Sequence, residues 1–168
     1  MDDSSALLEA QIPALRRYAY ALAREHETAD DLVQDCLEKA LSRWHLRRRD
    51  GDLRAWLFTI LRNRYIDFLR GRRRRGATVQ LEDAPPQPVH ASQERHVEIG
   101  DVLGALDQLP EEQRSVILLV GIEDFSYEEA AKVLNVPLGT VMSRLSRARQ
   151  KLRQVLEAGR PCLLWRVK

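Results

Sequence analysis

The segment 126–151 constrains the fold of this chain more than any other stretch. Ser126 stands three residues before Glu129, which is the pattern of a capping box and predicts a short helix over Tyr127–Leu134. Pro137 disfavours helical backbone at the residue before it, so this helix is expected to end there and a second one to begin. Two helices joined by so short a turn predict a helix-turn-helix unit.

The second helix of this unit has two contrasting faces. Its apolar residues are spaced by four, three and four and form one narrow stripe that must pack inward: Val141, Leu145, Ala148 and Leu152. The opposite side carries hydroxyl, amide and guanidinium groups: Ser143, Ser146, Arg147 and Gln150, flanked by Arg144 and Arg149. Such a helix suits the major groove of DNA. The alternative is a basic amphipathic helix whose charges are merely solvated, but the capped first helix and the tight turn favour DNA binding.

The composition excludes several classes of protein. A chain of 168 residues that is 44% hydrophobic can form one ordinary domain or two small ones. No apolar run is long enough for a membrane span, and the acidic start is unlike a secretory signal, so we expect a cytoplasmic protein without membrane insertion. Cys36 and Cys162 are too few for a disulfide framework, and Cys36 falls on an apolar stripe, which predicts a buried, inert thiol.

The same survey predicts neither a cofactor nor catalysis. The four histidines have no metal-ligand spacing, so we expect no metal site. The chain also lacks a glycine-rich phosphate loop and any nucleophile–base pattern. We therefore expect a protein that is not an enzyme and that uses no cofactor.

The formal net charge of +2 conceals alternating blocks of charge. Residues 42–75 hold twelve basic and three acidic side chains, and residues 138–168 hold eight basic and one acidic. An acidic block precedes each of them. Two separate basic blocks predict two contacts with nucleic acid, and the acidic blocks predict a surface for a different kind of partner.

The strongest helical period lies over Ala29–Trp44. Thr28 and Asp31 form a capping pattern at its start. Apolar residues recur on one side of this helix at Ala29, Leu32, Val33, Cys36, Leu37, Ala40, Leu41 and Trp44. The other side is acidic and polar, with Asp30, Asp31, Gln34, Asp35 and Glu38. This acidic face is either solvated or a docking face.

The remaining segments divide the chain into two helical modules. Residues 44–53 are predicted to be a loop, and a long helix begins near Arg54 and ends in an arginine run. The proline-containing residues 76–97 are predicted to be a flexible linker. We therefore predict an all-α protein of two small helical domains that move independently in the free chain.

Two segments together resemble a known family. DDLVQDCLEKAL followed by RAWLFTILRNRYIDFLR resembles region two of bacterial sigma factors, and LDQLPEEQRSVILLVGIEDFSYEEAAKVLNVPLGTVMSRLSRARQKL resembles region four. The resemblance covers about residues 10–157 and is closest to the extracytoplasmic-function (ECF) group. It implies a region-two domain at 1–75, a linker at 76–97, a region-four domain at 98–158 and a tail at 159–168. It also implies a transcription-initiation role in stress responses and, as partners, core RNA polymerase, promoter DNA and an anti-sigma factor.

The resemblance assigns roles to three groups of residues. The acidic helix would dock on the clamp helices of the largest polymerase subunit through Asp30, Asp31, Gln34, Asp35 and Glu38. The minus-ten element would be melted and bound by Arg47, Arg48, Arg49, Asp50, Trp56, Arg62, Asn63 and Arg64. The minus-thirty-five duplex would be bound by Thr140, Met142, Ser143, Arg144, Ser146, Arg147, Arg149 and Lys151. Related sequences often have arginine where this chain has Met142, so the promoter sequence cannot be carried over from them.

Two alternative functions share parts of this pattern. A plain helix-turn-helix regulator would leave the acidic helix and the first basic block without a role. A sigma-mimicking adaptor that sequesters an anti-sigma factor is expected to lack the basic recognition face and to carry a receiver domain. The apolar tail group Leu163, Leu164 and Trp165 is expected either to pack on the region-four helices or to contact a regulator or the polymerase.

Overall fold

The structure is a computed structural model that describes residues 3–48, 50–76 and 93–158. All regular elements in these ranges are helical, which confirms the predicted all-α class. The amino-terminal domain contains α1 (Asp3–Glu9), α2 (Ile12–Ala23), α3 (His26–Ser42), a 3-10 turn (Trp44–Leu46) and α4 (Leu53–Arg75). The carboxyl-terminal domain contains α5 (Gln93–Asp107), α6 (Glu111–Gly121), α7 (Tyr127–Leu134) and α8 (Leu138–Ala158).

The amino-terminal domain is built on α2, α3 and α4, which pack against one another. Leu15, Tyr18, Ala19 and Leu22 of α2 are all buried, as their helical period predicts. On α4 the buried residues are Leu57, Phe58, Leu61 and Tyr65. The first turn of α4 is capped by Asp52, whose carboxylate accepts from the backbone N–H groups of Arg54 and Ala55.

Two helices, α3 and α5, begin at residues other than those predicted from the sequence. The predicted capping pattern at Thr28 is wrong: α3 begins at His26, and the Thr28 hydroxyl donates to the Glu25 carboxylate instead. Trp44 lies beyond α3, in a 3-10 turn within the segment predicted to be a loop. α5 begins at Gln93, inside the segment predicted to be linker. The apolar tail group lies outside the described residues, as does linker segment 77–92.

Cys36 is the buried thiol that its position on the apolar stripe predicts. Its side chain is fully buried, and its Sγ donates to the Leu57 carbonyl oxygen at 3.4 Å. Burial raises the pKa of Cys36 from 9.0 to about 12. The thiol is therefore neutral at physiological pH, which makes it a poor nucleophile.

We expect this burial to weaken folding at alkaline pH. The folded state holds the Cys36 proton more tightly than the unfolded chain, so the stabilisation is complete below pH 9.0 and is lost as pH rises towards 12. The loss should be on the order of 1 kcal/mol per pH unit above 9. Urea unfolding from pH 8 to 10.5 should give a shallower decline for Cys36→Ala than for the wild type. Equal slopes would show that Cys36 does not titrate in this way.

The carboxyl-terminal domain packs α6 and α7 against α8, with α5 also against α8. Helical period predicts that Val116, Ile117, Leu119 and Val120 form the buried side of α6. Val116 and Leu119 are buried, but Ile117 and Val120 are only half-buried, and Ser115 and Leu118 are buried as well. The reason is that α6 packs on α2 of the other domain as well as on α8, so more than one of its faces is covered.

The two predicted domains pack against each other in the structure, which differs from the expectation that they move independently. α4 packs on α7, α2 packs on α6, and the buried residues of both domains form one hydrophobic cluster. Phe58 and Phe125 meet across the boundary with ring centroids 5.0 Å apart. The Leu22 carbonyl at the end of α2 accepts from Arg114 of the other domain at 3.3 Å. Helical periodicity and local motifs could not predict this packing, because each contact joins residues far apart in the chain.

Candidate nucleic-acid interface

The helix-turn-helix unit has the predicted bounds, α7 over Tyr127–Leu134 and α8 from Leu138. The capping box is complete: the Ser126 N–H donates to the Glu129 carboxylate at 2.7 Å, and the Glu129 N–H donates to the Ser126 hydroxyl at 3.1 Å. Asn135 adopts the left-handed conformation with φ 52°, which ends α7 before Pro137. The turn thereby fixes the direction of α8 relative to the core.

The outer face of α8 is open in the structure. Val141, Leu145 and Ala148 are buried, and the opposite side presents the predicted contact residues. The exposed members of that set are Met142, Ser143, Ser146, Arg147, Arg149 and Lys151, whereas Thr140 and Arg144 are half-buried. Arg147 and Arg149 make no ion pair within the described residues. Their guanidinium groups are therefore available to base edges or phosphates.

Arg144 differs from the other arginines of α8. Its side chain is only 19% exposed and lies 3.5 Å from the carboxylate of Glu112, in the first turn of α6. This contact joins α8 to the start of α6. Arg144 therefore stabilises the position of α8 in this structure and is less accessible than Arg147 or Arg149.

The predicted minus-ten residues of the 44–56 region lie around two tryptophans. The rings of Trp44 and Trp56 meet edge to face with centroids 6.4 Å apart. The Arg47 guanidinium lies over the Trp44 ring at 4.8 Å, which holds it on the aromatic surface. Arg48 and Asp50 are exposed and lie 3.9 Å apart. Arg49 lies outside the described residues.

Three consecutive residues of α4 are predicted to bind the minus-ten element: Arg62, Asn63 and Arg64. They face three directions, because successive residues of an α-helix are rotated by about 100°. Arg62 faces the carboxyl-terminal domain, where it pairs with Glu111 at 3.3 Å and is only 14% exposed. Asn63 is exposed. Arg64 lines a groove between α3 and α4 together with Asp31, Asp35 and other residues of the acidic helix. The structure therefore does not bring Arg62, Asn63 and Arg64 together on one surface.

The outer face of α3 is acidic and open. All five predicted docking residues are exposed: Asp30, Asp31, Gln34, Asp35 and Glu38. Asp30 pairs with Arg16 of α2 at 2.9 Å, and the Gln34 amide donates to Glu38 at 3.0 Å. Asp31 and Asp35 line the groove that also contains Arg64, but they make no ion pair with any described residue, so both carboxylates are open to a partner.

Sequence reasoning missed a cluster of charges between the two domains. Glu123 is a fully buried carboxylate that pairs with Arg17 and Arg54 of the other domain. The one signal in the sequence is an acidic pair, Glu123 and Asp124, between Ile122 and Phe125 directly after a helix, which is too weak to identify a buried ion pair. Long-range packing, and not a local motif, defines this cluster.

These surfaces define a two-domain helix-turn-helix protein with an exposed acidic face on α3 and an exposed basic face on α8. Among the residues that the structure describes, none form a cluster that could hold a metal ion. Within the same ranges, no helix has both the length and the apolar character needed to cross a bilayer.

Comparisons with known proteins give the family. Residues 8–62 match the Sigma2 domain of PhyR, and residues 99–152 match sigma-70 region 4. The ECF RNA polymerase sigma factor EcfG of Rhodopseudomonas palustris is 40% identical over 147 residues, covering 88% of this chain and 81% of that protein. The RNA polymerase sigma factor SigV of Bacillus subtilis is 31% identical over 137 residues, and the match covers 82% of this chain and 81% of SigV.

Among solved structures, the sigma factor RpoE of Bartonella quintana in complex with the anti-sigma factor NepR is similar along its whole length. It superposes with a TM-score of 0.81 at 37% identity, covering 95% of this chain and 100% of that one. CnrH in complex with the cytosolic domain of CnrY superposes with a TM-score of 0.72 at 28% identity, and the match covers 93% of this chain and 88% of CnrH. The chain belongs to the ECF family of RNA polymerase sigma factors.

Proposed function

We propose that this protein directs core RNA polymerase to specific promoters as a non-enzymatic sigma factor, acting in the cytoplasm where the polymerase works. The observation that carries the proposal is the presence in one chain of an exposed acidic face on α3 and an exposed basic face on α8. A sigma factor needs both, one for the polymerase and one for the DNA. A plain helix-turn-helix regulator has no use for the acidic face.

The three groups of contact residues are part of this proposal. Asp31 and Asp35 are the centre of the polymerase-docking surface, because they are exposed and unpaired among the described residues. Trp44, Trp56 and Arg47 supply the aromatic and cationic surface on which an unstacked base of the minus-ten strand packs. Arg147 and its neighbours on α8 contact the minus-thirty-five duplex.

An anti-sigma factor is the regulator proposed for this chain. RpoE of Bartonella quintana is in complex with the anti-sigma factor NepR, and CnrH is in complex with the cytosolic domain of CnrY. Their similarity extends over 95% and 93% of this chain, which supports a protein regulator of the same kind here.

A second candidate is a sigma mimic that binds an anti-sigma factor without contacting promoters. The match of residues 8–62 to the Sigma2 domain of PhyR favours it, because anti-anti-sigma factor PhyR is also known in complex with NepR. The exposed arginines of α8 argue against it, because a mimic has no duplex to bind.

Run-off transcription with purified core polymerase and a library of genomic promoter fragments separates these candidates. A sigma factor yields transcripts that depend on both the protein and the core enzyme, and their start sites define the promoter sequence. A plain regulator binds DNA without core polymerase, and a mimic yields no transcript but relieves inhibition of another sigma factor. Absence of protein-dependent transcripts at every promoter would contradict the proposal.

Arg147→Ala is expected to reduce promoter activity and to relax specificity at one base pair of the minus-thirty-five element. Arg147 is exposed and makes no ion pair with a residue that the structure describes, and a bidentate arginine–guanine contact is worth about 1–3 kcal/mol of discrimination. Arg149→Ala is the matched control, and it should weaken binding evenly across sequences and lower its salt dependence. The measurement is transcription from a set of promoters with single substitutions. Identical losses for both variants on every promoter would refute this division of roles.

A further inference from the structure

We propose that the free chain holds its two domains closed through an ion cluster centred on Glu123, and that this closed form cannot engage both promoter elements at once. The inference rests on the proposed function, because it assumes that both domains contact promoter DNA.

Glu123 lies between α6 and α7, and its side chain is fully buried. Arg17 of α2 binds it with two parallel hydrogen bonds, from Nε to Oε1 and from Nη2 to Oε2, both of 2.8 Å. Arg54 of α4 donates from Nη2 to Oε2 at 3.1 Å and to the Glu123 carbonyl at 2.6 Å. The carboxylate therefore comes from one domain and both cations come from the other.

Two aromatic rings hold the Arg54 guanidinium in place. Its central carbon lies 4.5 Å from the ring centroid of Phe125 and 5.4 Å from that of Phe58. Phe125 belongs to the carboxyl-terminal domain and Phe58 to the amino-terminal one. The cluster thus joins the domains by charge and by aromatic contact at the same place.

A buried carboxylate is strongly unfavourable unless cations pair with it. Within the described residues, every side-chain hydrogen bond of Glu123 goes to the other domain. When the two domains separate, the Glu123 carboxylate therefore loses these hydrogen bonds and is solvated by water instead. This arrangement suits a contact that has two states, closed and paired or open and hydrated.

Further pairs lie around the cluster on the same boundary. Arg24 contacts the Asp107 carboxylate at 3.1 Å, and Arg62 contacts that of Glu111 at 3.3 Å. Arg62 is one of the residues expected to meet the minus-ten strand, and the closed form leaves it 14% exposed. Closure therefore covers part of the proposed DNA surface on α4.

The spacing of promoter elements requires the domains to separate. Elements centred near minus ten and minus thirty-five are about 25 base pairs apart, or roughly 85 Å along B-form DNA. A compact chain of this length has a radius of gyration of about 15 Å and is only about 40 Å across. The closed form therefore cannot reach both elements at once.

The docking face stays open in the closed form. Asp31 and Asp35 are exposed, and among residues 3–48, 50–76 and 93–158 no ion pair across the domain boundary involves α3. Core polymerase can therefore bind the closed chain first and opening can follow. This order keeps the free protein from binding both promoter elements together without polymerase.

The test compares wild type with Arg17→Glu, which places a second carboxylate against Glu123. Arg16→Glu is the matched control, because it makes the same charge change at the adjacent residue, whose ion pair with Asp30 stays within one domain. Glu123→Gln is a second variant that removes the charge and keeps the shape. Circular dichroism checks that all of them are folded.

Small-angle scattering of the free proteins and binding of a fluorescent single-stranded minus-ten oligonucleotide are the two measurements. We expect wild type and Arg16→Glu to be compact, and Arg17→Glu and Glu123→Gln to be expanded and to bind the oligonucleotide at least about tenfold more tightly. A wild type as expanded as Arg17→Glu would overturn the closed form. Variants as compact as wild type would overturn the role of Glu123. Neither result affects the run-off test, so failure of this inference is distinguishable from failure of the proposed function.

Discussion

Reversing both Asp31 and Asp35 to lysine is expected to weaken assembly with core polymerase by at least about a hundredfold. The two carboxylates are one turn apart on α3, exposed, and without an ion-pair partner among the described residues. Like charges brought together at an interface cost several kcal/mol, which corresponds to this loss of affinity. The substitutions lie on the outer face, so the helical content of the free protein should not change.

The measurement is a titration of labelled core enzyme at moderate salt, with circular dichroism of each free variant. Glu9→Lys combined with Glu128→Lys is the matched control, because it makes the same change of charge at exposed sites away from the α3 face. Unchanged affinity for the docking variant, or an equal loss for the control, would contradict the assignment of α3 as the docking helix.

Truncating Phe58 is expected to lower the free energy of unfolding by about 3–5 kcal/mol, the usual cost for Phe→Ala in a core. Phe58 is fully buried, with ring centroids 5.2 Å from Tyr18 of its own domain and 5.0 Å from Phe125 of the other. Its loss leaves a cavity at the point where both domains meet.

Phe125→Ala shows whether the two domains unfold together. In a Trp165→Phe background, the remaining tryptophans, Trp44 and Trp56, both lie in the amino-terminal domain. If the closed packing is stable, Phe125→Ala in the other domain shifts the urea midpoint that their fluorescence reports. An unchanged fluorescence midpoint, with a lower midpoint by circular dichroism, would show that the domains unfold independently.

The elements that could be predicted from the sequence are those with local causes. The bounds of α7 follow from Ser126, Glu129 and Pro137, which act within one turn. The buried stripe of α8 and the acidic face of α3 follow from helical period alone. The family followed from two motifs in a fixed order.

What the sequence could not predict depends on contacts between distant residues. The directions of Arg62 and Arg64 depend on which element covers each side of α4, and one of those elements belongs to the other domain. Burial of Leu118 and Glu123 has the same cause. Thr28 fails as a cap because α3 begins three residues earlier than that cap requires, at His26, and the Thr28 hydroxyl donates to the Glu25 carboxylate instead.

Permanganate footprinting of a promoter identified by run-off transcription tests the central claim most directly. Permanganate oxidises unpaired thymines, so it detects the melted minus-ten element. The account predicts reactive thymines there only when this protein and core polymerase are both present, and weaker reactivity when Trp56 is replaced by alanine. Reactive thymines with core polymerase alone, or none with both present, would contradict the conclusion that this chain directs promoter melting.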